Sequence, residues 1–383
     1  MTSLPLPYWR LSSFYFFYFA LLGATAPFFG LYFAHLGFSA ARIGELLAIP
    51  MLMRCFAPNL WGWLGDASGQ RLAIVRLGAI CTLLSFLPIF IGHSYAWLAL
   101  VMALHAFFWH AVLPQFEVIV FAHLHAQAAR YSQLRLWGSV GFIVAVAGLG
   151  GLFEHLSLDY WPQSIVLVMA GIVLATLWIP RTRPEPREIS AEGGFWRQLL
   201  RPGVPAFYVC AALMQLSHGP YYTFISIYLE SLGYGRGTIG LLWSLGVVAE
   251  ILLFLVMAKV LKRFSLRQIL IASFLFAALR WALLGGLGEQ LPVLLFVQIL
   301  HAATFGSFHV AAVNIVQRSF DSRQKGQGQA LYASVSGIGG ALGALYAGYS
   351  WSSLGPFWTF GMASLAALVA AVIIAIRLQE ERA

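Results

Sequence analysis

Charge is what this chain has least of. Only 10% of its 383 residues are Asp, Glu, Lys or Arg, whereas 60% are hydrophobic. A soluble domain of that length presents far more charge to water, so most of this surface must face lipid. Cysteine is scarce as well. Cys55, Cys81 and Cys210 sit singly inside apolar runs, without disulfide or zinc-type spacing, and read as small buried side chains. A Gly-x4-Gly-Lys phosphate loop is missing, as is a soluble domain to carry one, which argues against an ATP-driven pump. No convergent nucleophile and base and no cluster of metal ligands can be picked out. An intramembrane enzyme, a bound metal and an organic cofactor are therefore not expected. The formal net charge of +9 is explained by basic cytoplasmic loops rather than by a nucleic-acid partner.

What is present is a repeat. The stretch Tyr32-Phe-Ala-His-Leu36-Gly37-Phe38-Ser-Ala-Ala-Arg-Ile43-Gly44 returns 196 residues later as Tyr228-Leu-Glu-Ser-Leu232-Gly233-Tyr234-Gly-Arg-Gly-Thr-Ile239-Gly240. Leu104-His105-Ala106 returns as Leu300-His301-Ala302 at the same offset, and Leu136-Trp137-Gly138-Ser139-Val140 as Leu331-Tyr332-Ala333-Ser334-Val335, shifted by one. Three matches in register across both halves mark a duplicated membrane protein, with its sites expected where the copies face each other.

A membrane span needs ~20 apolar residues. Twelve runs qualify, at about 12–35, 42–64, 73–92, 96–122, 132–153, 162–180, 204–231, 237–259, 266–287, 291–317, 327–350 and 356–376. The first follows Arg10 and contains Ala24-Thr25-Ala26, like a signal peptide, but it is too long for one and is expected to stay as a span. The polar, proline-containing stretch 181–202 reads as a linker between six-helix halves at 1–180 and 203–383. The predicted fold is all-α and polytopic, with twelve transmembrane helices in two pseudo-symmetric bundles. Alternate connecting segments hold nearly all the basic residues, among them Arg71, Arg76, Arg130, Lys262, Arg263 and Arg377. The opposite loops hold only Arg42 and Arg236, which puts both termini in the cytoplasm of a bacterial inner membrane. Trp9, Trp61, Trp63, Trp97, Trp161 and Trp358, near span ends, read as interfacial belts.

Five charged residues stand out within the runs: Arg54, Glu117, Arg135, Glu250 and Arg280. A charge at mid-bilayer costs ~2.5–3.5 kcal/mol on insertion scales, so each requires a reason. Arg54 and Glu250 each lie eleven residues after the repeat's isoleucine, at Ile43 and Ile239. They hold equivalent places on equivalent helices, so Glu250 can pair with Arg54 across a central cavity or with Arg280 on the next helix. Glu117 and Arg135 flank the loop between spans four and five and can approach each other. Gln298, His301, Phe305 and His309 share one face of span ten, and Gln215, His218 and Tyr222 one face of span seven. Gly219-Pro220 is expected to break span seven where a cavity tolerates it.

Gly62-Trp-Leu-Gly-Asp66-Ala-Ser-Gly69-Gln-Arg71 resembles the loop motif of the major facilitator superfamily, with Ala67 where a basic residue is usual. The resemblance implies a charge latch that favours one access state, carried by Gly62, Asp66, Gly69 and Arg71. Glu117, then Arg135-Leu-Trp137-Gly, with Glu250, Arg280 and His301 in order, is similar to the lactose permease group of oligosaccharide:proton symporters. That group implies substrate binding at Glu117, Arg135 and Trp137. Thr304 stands where the group has its proton-step glutamate, which points away from lactose. Ile43-Gly44 to Arg54, Gly240-Leu-Leu-Trp-Ser-Leu-Gly-Val-Val-Ala-Glu250, Arg280-Trp281 and Gln298-Ile-Leu-His301 resemble the 3-phenylpropionic acid transporter group more closely. There Arg54 is suited to hold a carboxylate through paired hydrogen bonds.

The expectation is a proton-coupled secondary transporter of a small organic substrate, an aromatic acid ahead of an oligosaccharide or nucleoside. Arg54, Glu117, Arg135, Trp137, Gln215, His218 and Tyr222 would bind substrate. Glu250, Arg280 and His301 would couple protons. Its partners would be substrate, H+ and the bilayer, with no obligate protein. A drug/proton antiporter is disfavoured because 138–151 has glycines but no proline. A non-transporting sensor would need a partner domain or long tail, and neither is evident.

Overall fold

The computed structural model describes residues 6–124, 130–180, 194–321 and 324–378. Most of the predicted linker, 181–193, lies outside the described residues. All regular structure among the described residues is helical: α1 (Tyr8–Thr25), α2 (Phe29–His35), α3 (Ala40–Ser68), α4 (Arg71–Phe86), α5 (Tyr95–Leu124), α6 (Tyr131–His155), α7 (Trp161–Trp178), α8 (Phe195–Leu199), α9 (Val204–Ser231), α10 (Arg236–Arg263), α11 (Leu266–Leu287), α12 (Leu291–His301), α13 (Ser307–Ser319) and α14 (Lys325–Arg377).

The twelve predicted runs map onto these helices with three adjustments. The first run is bent by 41° between α1 and α2. Pro27 supplies no N–H to the Gly23 carbonyl. The chain tightens, with the Phe28 N–H bonding Thr25 O at 3.1 Å, and the freed Ala24 carbonyl accepts from Trp161 Nε1 at 2.9 Å. The tenth run is α12 and α13 joined by a π turn, Ala302–Gly306. The last two runs form α14, folded at Gly355 with φ 79° and ψ 175°, a conformation open essentially only to glycine. Eight of the described helices are long and apolar enough to cross a membrane, and the α1–α2 pair makes a ninth. α3 and α9 have the length but are more polar, and they carry Arg54 and the Gln215–His218–Tyr222 face.

By contacts the chain forms two compact units. One comprises Met1–Gly37, Phe56–Glu188 and Gly235–Gly240, and the other Phe38–Cys55, Ile189–Tyr234 and Leu241–Ala383. In the first, α1 packs on α6 and α7, and α4 on α5 and α7. In the second, α9 packs on α14, and α11 on α12, α13 and α14. The neighbour pattern is thus repeated. The signature stretch is repeated in detail too. Leu36 and Leu232 end their helices with nearly the same backbone angles, and Gly37 and Gly233 follow in the left-handed region at φ 83° and 86°.

The expected break in span seven is absent: α9 runs through Pro220. Gly219 instead lets the α14 backbone approach, since a Cβ there would collide with Gly343. Two expected belt residues are core residues. Trp161 is fully buried, and the buried Trp61 donates through Nε1 to Phe107 O at 3.2 Å. Trp9, Trp63 and Trp358 are exposed.

Candidate functional site

In the second unit, α11 carries Arg280, fully buried. Its Nε donates to Val297 O at 2.8 Å, and Nη1 donates to His301 Nδ1 and Thr304 Oγ1, both at 3.2 Å. The guanidinium also lies 4.3 Å from the Tyr221 ring centre and 4.6 Å from that of Trp281. Burying a cation costs several kcal/mol even after relaxation; three polar acceptors and two ring faces offset part of that. Nη2 meets no acceptor in hydrogen-bond geometry among the described residues.

The contact with Arg280 fixes the histidine's tautomer. Arginine can only donate, so His301 Nδ1 must accept and the ring hydrogen sits on Nε2. Nε2 points toward Glu250 Oε2 at 3.7 Å. The order is therefore Arg280, His301, Glu250. The two pairings open in the sequence, Glu250 with Arg54 or with Arg280, are replaced by a third in which His301 stands between. The π turn begins one residue after His301 and places Thr304 under the guanidinium. Such turns inside α-helices are frequent at functional sites. Its cue in the sequence is slight, a single run of small residues, Ala302-Ala303-Thr304.

Around this chain the rings form a column. His301 stacks on Tyr221 at 6.1 Å and on Phe305 at 5.3 Å, Phe305 on His309 at 6.5 Å, and His309 lies 6.3 Å from Tyr332. The predicted shared face of span ten is kept. His218 is buried, donates through Nδ1 to Met214 O at 2.8 Å, and stacks with Tyr222 at 5.9 Å. Its Nε2 has no hydrogen-bond partner among the described residues. Tyr221, which the sequence reading missed, donates to Gln298 Oε1 at 2.7 Å. Gln215 is half-buried on α9. Arg54, half-buried on α3, is within electrostatic range of Tyr222 and Tyr332. Among the described residues it makes no ion pair.

In the first unit, Tyr131 donates to Glu117 Oε1 at 3.2 Å, and the buried Tyr15 hydroxyl lies against the same carboxylate. Arg135 lies over the Phe19 ring at 3.7 Å and 5.7 Å from that of Tyr15. Glu117 and Arg135 share Tyr15 as a neighbour without a direct ion pair. Trp137 does not join them: its Nε1 donates to the Tyr8 hydroxyl at 3.0 Å, and its ring packs on Trp9. Tyr15 and Tyr131 were not anticipated, although their spacing from Glu117 and Arg135 on neighbouring helices offered a signal.

Across the turn from α3 to α4, Arg71 Nη2 pairs with Asp66 Oδ1. Arg71 Nη1 donates to Gln115 Oε1 on α5 at 2.6 Å, so the arginine ties the turn to a second helix. Gly69 closes the turn in the left-handed region. Gly62 has open space beside it; a Cβ there would meet only Gln115 Nε2 at 3.9 Å.

Helices broken inside the apolar zone, buried ionisable groups in both halves and a duplicated helical array define a multi-pass membrane protein of transporter type. The model of the family described as "MFS_1 like family" matches residues 8–362, and the chain belongs to this family of membrane transporters. It is 31% identical over 79% of its length to 80% of an Escherichia coli protein described as "Probable 3-phenylpropionic acid transporter". A maltose permease of Geobacillus stearothermophilus is 23% identical, with 85% of this chain and 83% of that protein covered. Among solved structures, the nucleoside transporter NupG superposes with a TM-score of 0.85 over 97% of this chain and 99% of that one, at 17% identity, which shows the major facilitator fold.

Proposed function

We propose that this transporter is a proton-coupled symporter of a small aromatic monocarboxylate, working by alternating access in the bacterial inner membrane with both termini cytoplasmic. The observation that carries the substrate class is Arg54, a half-buried guanidinium without an acidic partner among the described residues, in the unit that bears the ring column. A carboxylate satisfies such a group through two parallel hydrogen bonds, and an aromatic body suits the rings of Tyr222, Tyr332 and Phe305. Glu250 is the proton carrier. With Glu250 ionised, the Nε2–H of His301 faces it. Protonating His301 on Nδ1 would remove the acceptor that Arg280 uses, so proton arrival and release of Arg280 are linked. Halves at 1–180 and 203–383, joined through 181–202, move against each other, and the Asp66–Arg71 pair holds one of the two access states.

A hydroxyl-rich substrate, an oligosaccharide or nucleoside, is the second reading. Its support is the buried Glu117 carboxylate flanked by the Tyr15 and Tyr131 hydroxyls, a polar cluster that a sugar hydroxyl can join.

The test is uptake in proteoliposomes under an imposed pH gradient, comparing labelled phenylpropionate with labelled maltose and a labelled nucleoside. Accumulation of the acid alone, reduced at least about tenfold in Arg54→Gln, is expected from the loss of a charge-assisted hydrogen-bond pair. Accumulation of a neutral substrate that survives Arg54→Gln and fails in Glu117→Gln would overturn the acid reading in favour of the second.

A further inference from the structure

The second unit carries a cavity of about 350 Å³ far from the ionisable chain just described in sequence, where the start of α9 meets the end of α14. Arg201 and Arg377 line it, together with Leu200, Pro205, Val209 and Ile373. Among the described residues, no acidic side chain lines it. Two guanidinium side chains thus share a lining that is otherwise apolar. Gly203 makes this juxtaposition possible: a Cβ there would sit 3.0 Å from the Arg377 carbonyl oxygen. Arg201 Nη1 makes one long bond, 3.5 Å, to Ser319 O, leaving most of its five donors for another acceptor. Ala206 lies in the first turn of α9, where backbone N–H groups lack intrahelical acceptors and the helix end carries partial positive charge.

The surroundings are those of a bilayer interface. Leu200 and Ile376 are each 72% exposed, Val209 53%, and Trp196 on α8 71%. An exposed Trp beside Arg197 and Arg201 is an anchoring pattern at headgroup depth. Apolar side chains this exposed are satisfied by acyl chains, not by water. The cavity therefore joins cations at the interface to an apolar, lipid-facing surface.

We propose that this cavity binds the phosphate of an anionic phospholipid, phosphatidylglycerol or cardiolipin in kind, with its acyl chains along Val209 and Ile373. Basic pockets between spanning helices near the membrane surface hold such headgroups. The site is separate from the transport reading and uses the proposed orientation only to assign the lipid to the cytoplasmic leaflet.

The full-length protein, purified in detergent, is titrated with phosphatidylglycerol, cardiolipin or phosphatidylethanolamine, and bound lipid is counted by native mass spectrometry. Binding of the anionic lipids over phosphatidylethanolamine is expected, with affinity falling about fivefold for each arginine removed in Arg201→Gln and Arg377→Gln. Arg201→Lys/Arg377→Lys should retain most of it, which separates loss of charge from loss of fold, and Arg10→Gln should behave as the parent. Equal anionic-lipid binding by the parent and the double glutamine variant would overturn the proposal. So would displacement of the lipid by inorganic phosphate or glycerol phosphate at matched concentration, which would make the site one for a free anion.

Discussion

His105 and His301 are the same residue of the repeat in two different settings. His105, in the first unit, is buried against Phe86 and Trp109, and its Nδ1 meets only the Thr82 carbonyl, at 3.3 Å. α5 passes it as an unbroken helix. His301 sits where α12 turns into the π segment, between a buried arginine and a glutamate. One ring holds helices together and the other links two ionisable groups. The duplication supplied the side chain twice. What separates the copies is the neighbouring helix, which brings Thr82 to one histidine and Arg280 to the other.

The acids differ in the same way. Glu117 is held by Tyr131 and lies against Tyr15, next to an arginine that stacks on a ring instead of pairing. Glu250 faces a histidine already committed to Arg280. In the proposed reading the first arrangement would receive a substrate hydroxyl and the second would respond to a proton.

The contrast is broken most directly at the acids. Glu250→Gln is expected to lower gradient-driven accumulation by about a hundredfold, the scale of a lost proton-transfer group, while exchange of preloaded substrate continues. Glu117→Gln should lower accumulation and exchange together. If exchange instead failed in Glu250→Gln and survived in Glu117→Gln, the two roles would have to be reversed. The next effect in size is at the histidines. His301→Asn should slow initial uptake about tenfold or more through loss of a hydrogen bond to a charged group, and should flatten its pH dependence. His105→Asn should stay within about threefold with the pH profile unchanged. A matched effect from both histidines would mean that the repeat, not the local partner, sets the role.

The smallest effect sharpens the comparison away from both acids. Gln115→Ala frees one end of Arg71 and is expected to slow uptake about fivefold without altering substrate affinity. Gly62→Ala, with open space beside it, should be close to silent. A larger effect from Gly62→Ala than from Gln115→Ala would remove the turn-to-helix tie as the basis of the latch.

Composition, the spacing of apolar runs and the 196-residue offset determined that this is a duplicated, helical, multi-pass membrane protein, because lipid leaves the backbone few other ways to satisfy its polar groups. The residues of the repeat also marked Arg54, Glu250 and His301. Tertiary structure alone decided what those side chains do. The order Arg280–His301–Glu250 depends on which turns of α10, α11 and α12 face one another. Trp137 turned to Tyr8, and Trp161 went to a freed carbonyl at a proline bend. Gln115 and Tyr15 became partners in the loop and beside Glu117. Membrane sequences state which residues are polar; a hydrogen bond needs a direction and about 3 Å, and only packed helices supply those.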